Sequence, residues 1–136
     1  MNRESISMFY FFLASLKIKF MFLELAHTKL DVFVVSREFV LCCYKETKNF
    51  PPEERFGIIS QIRRAALSVH LNVAEGCSRK SQAERKRFYE IARGSLIETD
   101  TAFDIAIILN YVPKECLSEL GSLMQRIFQM ISKMIG

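Results

Sequence analysis

The chain predicts an all-α fold: an antiparallel up-down-up-down four-helix bundle preceded by an extra N-terminal segment. Three observations lead there. Apolar residues recur three and four apart in four separate stretches, which is the period of one helix face. Only five glycines and three prolines interrupt 136 residues, so the stretches between breaks are long. No segment alternates apolar and polar residues as a half-buried strand does. The length suits a single core. Half the residues are apolar and a quarter charged, a globular and not a disordered composition.

The first helix is expected over about Leu30 to Lys48. Thr28 followed by Asp31 resembles a capping box, and Val32, Val35, Phe39, Cys42 and Cys43 form the inward stripe. Phe50-Pro51-Pro52 ends it, because proline disfavours helix at the residue before it. The second helix is expected over Pro52 to Glu75, with Glu53 and Glu54 in its first turn, where the macrodipole favours acids. Ile62, Ala65, Val69 and Val73 face inward. Gly76 reads as a stop, since the residue past a helix end often needs positive φ. Ser78-Arg79-Lys80-Ser81 then make a short basic turn, with Cys77 before it a passive turn residue.

The third helix is expected from Ser81 to Asn110, opened by the S-x-x-E box of Ser81 and Glu84. Its predicted inward face is Phe88, Ile91, Ser95, Ala102, Ala106 and Leu109, and Gly94-Ser95 permits a kink or a neighbour's close approach. Pro113 suits the first turn of the fourth helix. There Leu117, Leu120, Met124, Ile127, Ile131 and Met134 make the cleanest heptad seam in the chain.

Residues 23–136 are thus the bundle domain and residues 1–22 an extension ahead of it. The apolar run Ile6–Leu16 spans 11 residues, short of the roughly 20 that cross a bilayer. A signal peptide is the lesser reading, because Glu4 cancels Arg3 and no small-x-small cleavage site follows. Met21 suggests an upstream start-site extension. Cys42, Cys43, Cys77 and Cys116 include no C-x-x-C pair and read as reduced, mostly buried thiols of a cytoplasmic protein without a membrane span.

Charge is unevenly spread. The net charge is +4, yet residues 55–93 carry nine basic and three acidic side chains, a net of +6. Residues 94–136 carry three basic and five acidic ones. Eight cations concentrate the excess: Arg63, Arg64, Arg79, Lys80, Arg85, Lys86, Arg87 and Arg93. Exposed lysine and arginine are ordinary on any surface. Here, however, six of the eight are arginine, whose fork matches phosphate. Between Gly76 and Arg87 only Glu84 is acidic. A helix-loop-helix corner would also gather residues 79–87 at one end of the bundle. With no aromatic RNA-binding motif or zinc finger, the contacts implied are to RNA or DNA phosphates and not to base edges.

Catalytic patterns are absent. Glu24-Leu25-Ala26-His27 is a single Glu-x-x-His, whereas a di-metal bundle needs two plus further glutamates. His70, the other histidine, reads as a partly buried imidazole with a hydrogen-bond partner, able to titrate near neutrality. No phosphate-cradling glycine loop, G-x-S-x-G or H-E-x-x-H occurs. Cys77 has cationic neighbours but no base partner. Ser60, Asn72, Glu75 and Ser95 are assigned to structure, with Asn72 and Glu75 capping a neighbouring backbone. The expectation is a non-enzymatic protein with no metal and no cofactor.

Several blocks carry a family resemblance. Lys29-Leu30-Asp31-Val32, Phe50-Pro51, Glu53-Glu54-Arg55-Phe56-Gly57 and Ser60-Gln61-Ile62-Arg63-Arg64-Ala65-Ala66 come first. Asn72-Val73-Ala74-Glu75-Gly76, Ser78-Arg79-Lys80-Ser81, Arg87-Phe88, Ala92, Gly94-Ser95 and Glu98 follow. Together they resemble the four helix bundle proteins, also called large-subunit rRNA intervening-sequence proteins, from about Leu23 onward. Many members have proline where this chain has His70. The resemblance implies the bundle fold and an RNA or ribonucleoprotein setting. It also implies kinship of fold with the accessory protein of diversity-generating retroelements, and so a protein partner such as a reverse transcriptase. The alternative is an oligomeric interaction scaffold that touches no nucleic acid. Second apolar sides on the third helix (Phe103, Ile105, Ile108) and the fourth (Leu123, Phe128, Met130) predict a homo-oligomer. The resemblance makes that a closed ring of five.

Overall fold

The computed structural model describes residues 25–136 together with Glu4, Ser5, Met8, Phe22 and Leu23, without the side chains of Thr28 and Lys29. The expected extension 1–22 and the Glu24 of the Glu-x-x-His match lie almost wholly outside the described residues. Among residues 25–136 four long helices form: α1 (Asp31–Thr47), α2 (Ile58–Ser78), α3 (Gln82–Ile108) and α4 (Ser118–Ile135). No strand occurs among the described residues. Contacts run α1 to α2, α2 to α3, α3 to α4 and α4 back to α1, closing a four-cornered bundle. Side-chain pairs between neighbours give the antiparallel registers: Ser36 with His70, Ser68 with Ser95, Arg93 with Ser132, and Lys45 with Glu119. One end of the bundle therefore holds the start of α1, the end of α2, the start of α3 and the end of α4.

The core is where the period placed it in three helices. Val32, Val35, Phe39, Cys42 and Cys43 of α1 are buried, as are Ile62, Ala65, Val69 and Val73 of α2. In α4, Leu120, Met124, Ile127 and Ile131 are buried, as is Leu117 just before it; Met134 is only partly buried, and Leu123 is core instead of a second face. In α3 the seam is Tyr89, Ala92, Leu96, Thr99, Phe103 and Ala106, offset from the predicted one. Ile91 and Leu109 are exposed, and Phe103 is core instead of a second face. The reason is close packing. Ala92, Thr99 and Ala106 are small enough to let α3 lie against its neighbours, and the larger Ile91 is left outside. Every buried side-chain nitrogen and oxygen among the described residues has a hydrogen-bond partner.

Helix ends differ from the expectation in instructive ways. α1 begins at Asp31 with Leu30 before it, and no side-chain cap forms. Pro52–Glu54 is a separate 3-10 turn and not the start of α2. From that turn Glu54 accepts the backbone N–H of Ile58 through Oε2 (3.0 Å) and the hydroxyl of Tyr111 through Oε1 (3.2 Å). It thus caps α2 from outside, supplying an acceptor that the helix start otherwise lacks. Gly76 is not a stop: α2 continues to Ser78, and Arg79 beyond it is extended. The left-handed stop is Asn110 (φ 61°), which ends α3 with Tyr111 N–H bonded to Ala106 O (2.9 Å). Pro113 precedes a 3-10 turn over Lys114–Leu117 that leads into α4.

Candidate nucleic-acid interface

The corner between α2 and α3 is built by short-range bonds. Ser81 is the N-cap of α3: its Oγ accepts the Glu84 N–H (3.1 Å) and lies 3.3 Å from the Glu84 carboxylate. Ser78 Oγ donates to Glu75 O (2.8 Å) in the last turn of α2. Arg85 Nε donates to Arg79 O, tying the start of α3 back to the end of α2. Arg79 reaches Glu75 at 3.1 Å, and its guanidinium sits 5.0 Å over the Phe88 ring. Beneath them Tyr89 packs on Gly76 and donates to Cys77 Sγ (3.5 Å). Glycine stands at 76 because Tyr89 occupies the space a Cβ would need. Cys77 is a helix residue, not part of a turn. Burial pushes the Tyr89 hydroxyl pKa up, with the Cys77 bond adding to it.

This corner brings five of the eight candidate cations together: Arg79, Lys80, Arg85, Lys86 and Arg87, all exposed. Lys80, Lys86 and Arg87 have no ion pair among the described residues. The Arg79–Glu75 pair is about half exposed on both sides, so it is worth little and leaves the guanidinium available. Arg93 lies about three turns into α3 and donates to Ser132 of α4 (3.4 Å). Arg63 and Arg64 sit roughly 22–24 Å back along α2. Arg63 is committed to the fold. Its Nε donates to Thr47 Oγ1 (3.0 Å) and its guanidinium lies 4.6 Å over Tyr44. Arg64 is exposed and bonds Gln61 (2.9 Å).

Of the polar residues read as structural, Asn72 and Ser95 join in holding α2 against α3, though not by capping. Asn72 bonds one turn back to Ser68 O (2.8 Å), Ser68 meets Ser95 of α3 (2.8 Å), and Glu75 pairs with Arg79. Ser60 is exposed. The His70 expectation needs correction. Ser36 Oγ lies 3.0 Å from Phe33 O and 2.7 Å from His70 Nδ1, so it holds the imidazole by a hydrogen bond. Burial first, then the nearby Arg37 and His27 charges, push the imidazole down to about 4. It is neutral near pH 7 and does not titrate there. Cys42 is pushed up to about 12, chiefly by burial and secondarily by Glu119. Cys116, by contrast, is exposed.

No group of three metal-binding side chains occurs among the described residues, and none of their helices is long and apolar enough to cross a membrane. A profile described as "23S rRNA-intervening sequence protein" matches residues 28–133. Among solved structures, a protein of unknown function from the S23 ribosomal protein family of Bacteroides thetaiotaomicron is similar. It is 23% identical with a TM-score of 0.68, over 76% of this chain and 97% of that one. At that identity the likeness speaks for the fold. No curated protein matches.

Proposed function

The chain belongs to the 23S rRNA-intervening sequence protein family, and from that membership and the charge geometry we propose that it is a non-enzymatic RNA-associating protein. The basic α2–α3 corner is the contact surface. The observation that carries this is the placement of Arg79 and Lys80 in the α2–α3 connection and of Arg85, Lys86 and Arg87 in the first two turns of α3, all exposed, with Glu84 the single acid among residues 76–87. Three of these cations have no partner to give up, so phosphate binding breaks no bond of the fold. Contacts of this kind fix position on a backbone without reading sequence. Arg63 is left out of the surface because its guanidinium is already bonded within the fold.

The test uses a labelled RNA at low salt with wild type and a Lys80→Gln/Lys86→Gln/Arg87→Gln variant. These positions take no part in the corner's own bonds, so the variant keeps the fold. The reading expects a clear loss of affinity in the variant; equal affinity overturns it. A second reading, a protein-interaction scaffold, is favoured by exposed Leu67, Leu71, Ile91 and Ile105 on α2 and α3. Self-association is the expected form, with five copies the number the family resemblance implies. Light scattering after size exclusion at micromolar concentration checks it, and a one-subunit mass removes it.

A further inference from the structure

A groove of about 370 Å³ runs between α3 and α4, within the size range of small-ligand sites. Its floor is apolar: Leu96 and Met124 are both buried. Phe128 stands on its α4 side, 43% exposed, with a ring that the core does not need. The rim is polar. Asp100, Gln125 and Gln129 line it, all exposed, and their side chains have no hydrogen-bond partner among the described residues. The groove thus combines a free aromatic ring with unspent donors and acceptors.

Position relates it to the basic corner. Arg93 precedes Asp100 by two turns on the same edge of α3, and Ser132 follows Phe128 by one turn on α4. The Arg93–Ser132 hydrogen bond (3.4 Å) therefore sits one turn beyond the groove, on the side of the basic end. A strand held by its phosphates at Lys86 and Arg93 would reach the groove with its next nucleotide. The Asp100 carboxylate repels a phosphate there, but a carboxylate accepts from a base amino group. Charge therefore sorts the nucleotide: phosphate toward the arginine, base toward the aspartate.

We propose that the α3–α4 groove takes one unpaired RNA base, stacked on Phe128 and hydrogen-bonded at its edge by Asp100, Gln125 and Gln129. Single-stranded RNA is recognised in this manner, by splayed bases on aromatic rings. The acceptor at Asp100 favours bases that carry an amino group, cytosine above uracil. The inference rests on the RNA-associating reading above and adds a base site to its phosphate corner.

The experiment measures affinities of full-length wild type, Phe128→Ala, Phe128→Trp and Asp100→Asn for labelled oligo-C, oligo-U and a fully paired RNA duplex. Stacking is worth about 1–3 kcal/mol per base, so Phe128→Ala is expected to weaken oligo-C binding by about tenfold. Duplex binding should stay unchanged and Phe128→Trp should retain affinity. Asp100→Asn should narrow the preference for oligo-C over oligo-U. Equal loss for single strand and duplex, or no loss, overturns the base site while leaving the phosphate corner standing. A drop in oligomeric mass on Phe128→Ala assigns the groove to a second copy and overturns it. Wild type that binds none of the RNAs overturns the base site and the functional reading together.

Discussion

Gly76→Ala should destabilise the protein even though it replaces glycine inside a helix. An ordinary mid-helix glycine costs about 1 kcal/mol relative to alanine, so the change would normally help. At Gly76 a Cβ would lie 2.5 Å from Tyr89 Cε1 and 2.8 Å from Cδ1. The ring cannot step aside freely, because it is buried and its hydroxyl bonds Cys77. Overpacking of this kind costs typically 1–3 kcal/mol. Set against the propensity gain, the net expectation is a loss of up to about 2 kcal/mol. Gly94→Ala in α3 is the internal control, since nothing lies within 4 Å of the Cβ it would add. That variant should gain up to about 1 kcal/mol. Urea unfolding reads both as midpoint shifts at unchanged slope. If Gly76→Ala raises the midpoint as Gly94→Ala does, the packing of α2 on α3 at the corner is wrong.

Arg63→Ala should cost about 1–2 kcal/mol of unfolding free energy through its lost Thr47 and Tyr44 contacts. Its RNA affinity per folded molecule, read by titration, should remain that of wild type. Glu54→Ala should cost about 1 kcal/mol, as loss of a cap does, measured by urea midpoint. His70 should make the protein acid-sensitive. Its folded pKa of about 4 lies below the unfolded value of about 6.5, so the unfolded state binds the extra proton between them. Stability from this group is full above about pH 6.5 and is lost as pH falls toward 4, by a total on the order of 3 kcal/mol. Urea midpoints taken across that window should fall less steeply in His70→Gln, and identical slopes would remove His70 from the account.

The fold was legible because burial follows period. The α4 seam from Leu117 through Ile131 needed no tertiary information, and the same holds for Val32 to Cys43 in α1. In α3 the period was present but its phase was not. Ser95 and Ala106 of the expected face are buried, but Tyr89 and Thr99 look less apolar than Ile91 and Leu109, and hydrophobicity alone turned those two isoleucine and leucine positions inward. What decided the phase was how closely α2 could approach, a property of two helices together. The glycine rule failed at Gly76 for a similar reason: glycine serves both for a left-handed turn and for a missing side chain, and only Tyr89 tells which. The S-x-x-E box at Ser81 worked because capping is local. In the candidate site, residues 79–87 came together because a turn of three residues leaves no choice. Arg63 was misplaced because its partners, Thr47 and Tyr44, lie 16 and 19 residues away on α1. The α3–α4 groove left no signal in sequence, since Phe128 and Asp100 belong to different helices.

The dependence of RNA affinity on salt tests the phosphate corner most directly. For a single strand, each neutralised phosphate adds roughly −0.7 to the slope of log K against log salt. The account predicts a steep negative slope for wild type, and for Lys80→Gln/Lys86→Gln/Arg87→Gln a slope shallower by about 2. Equal slopes for the two proteins would contradict it.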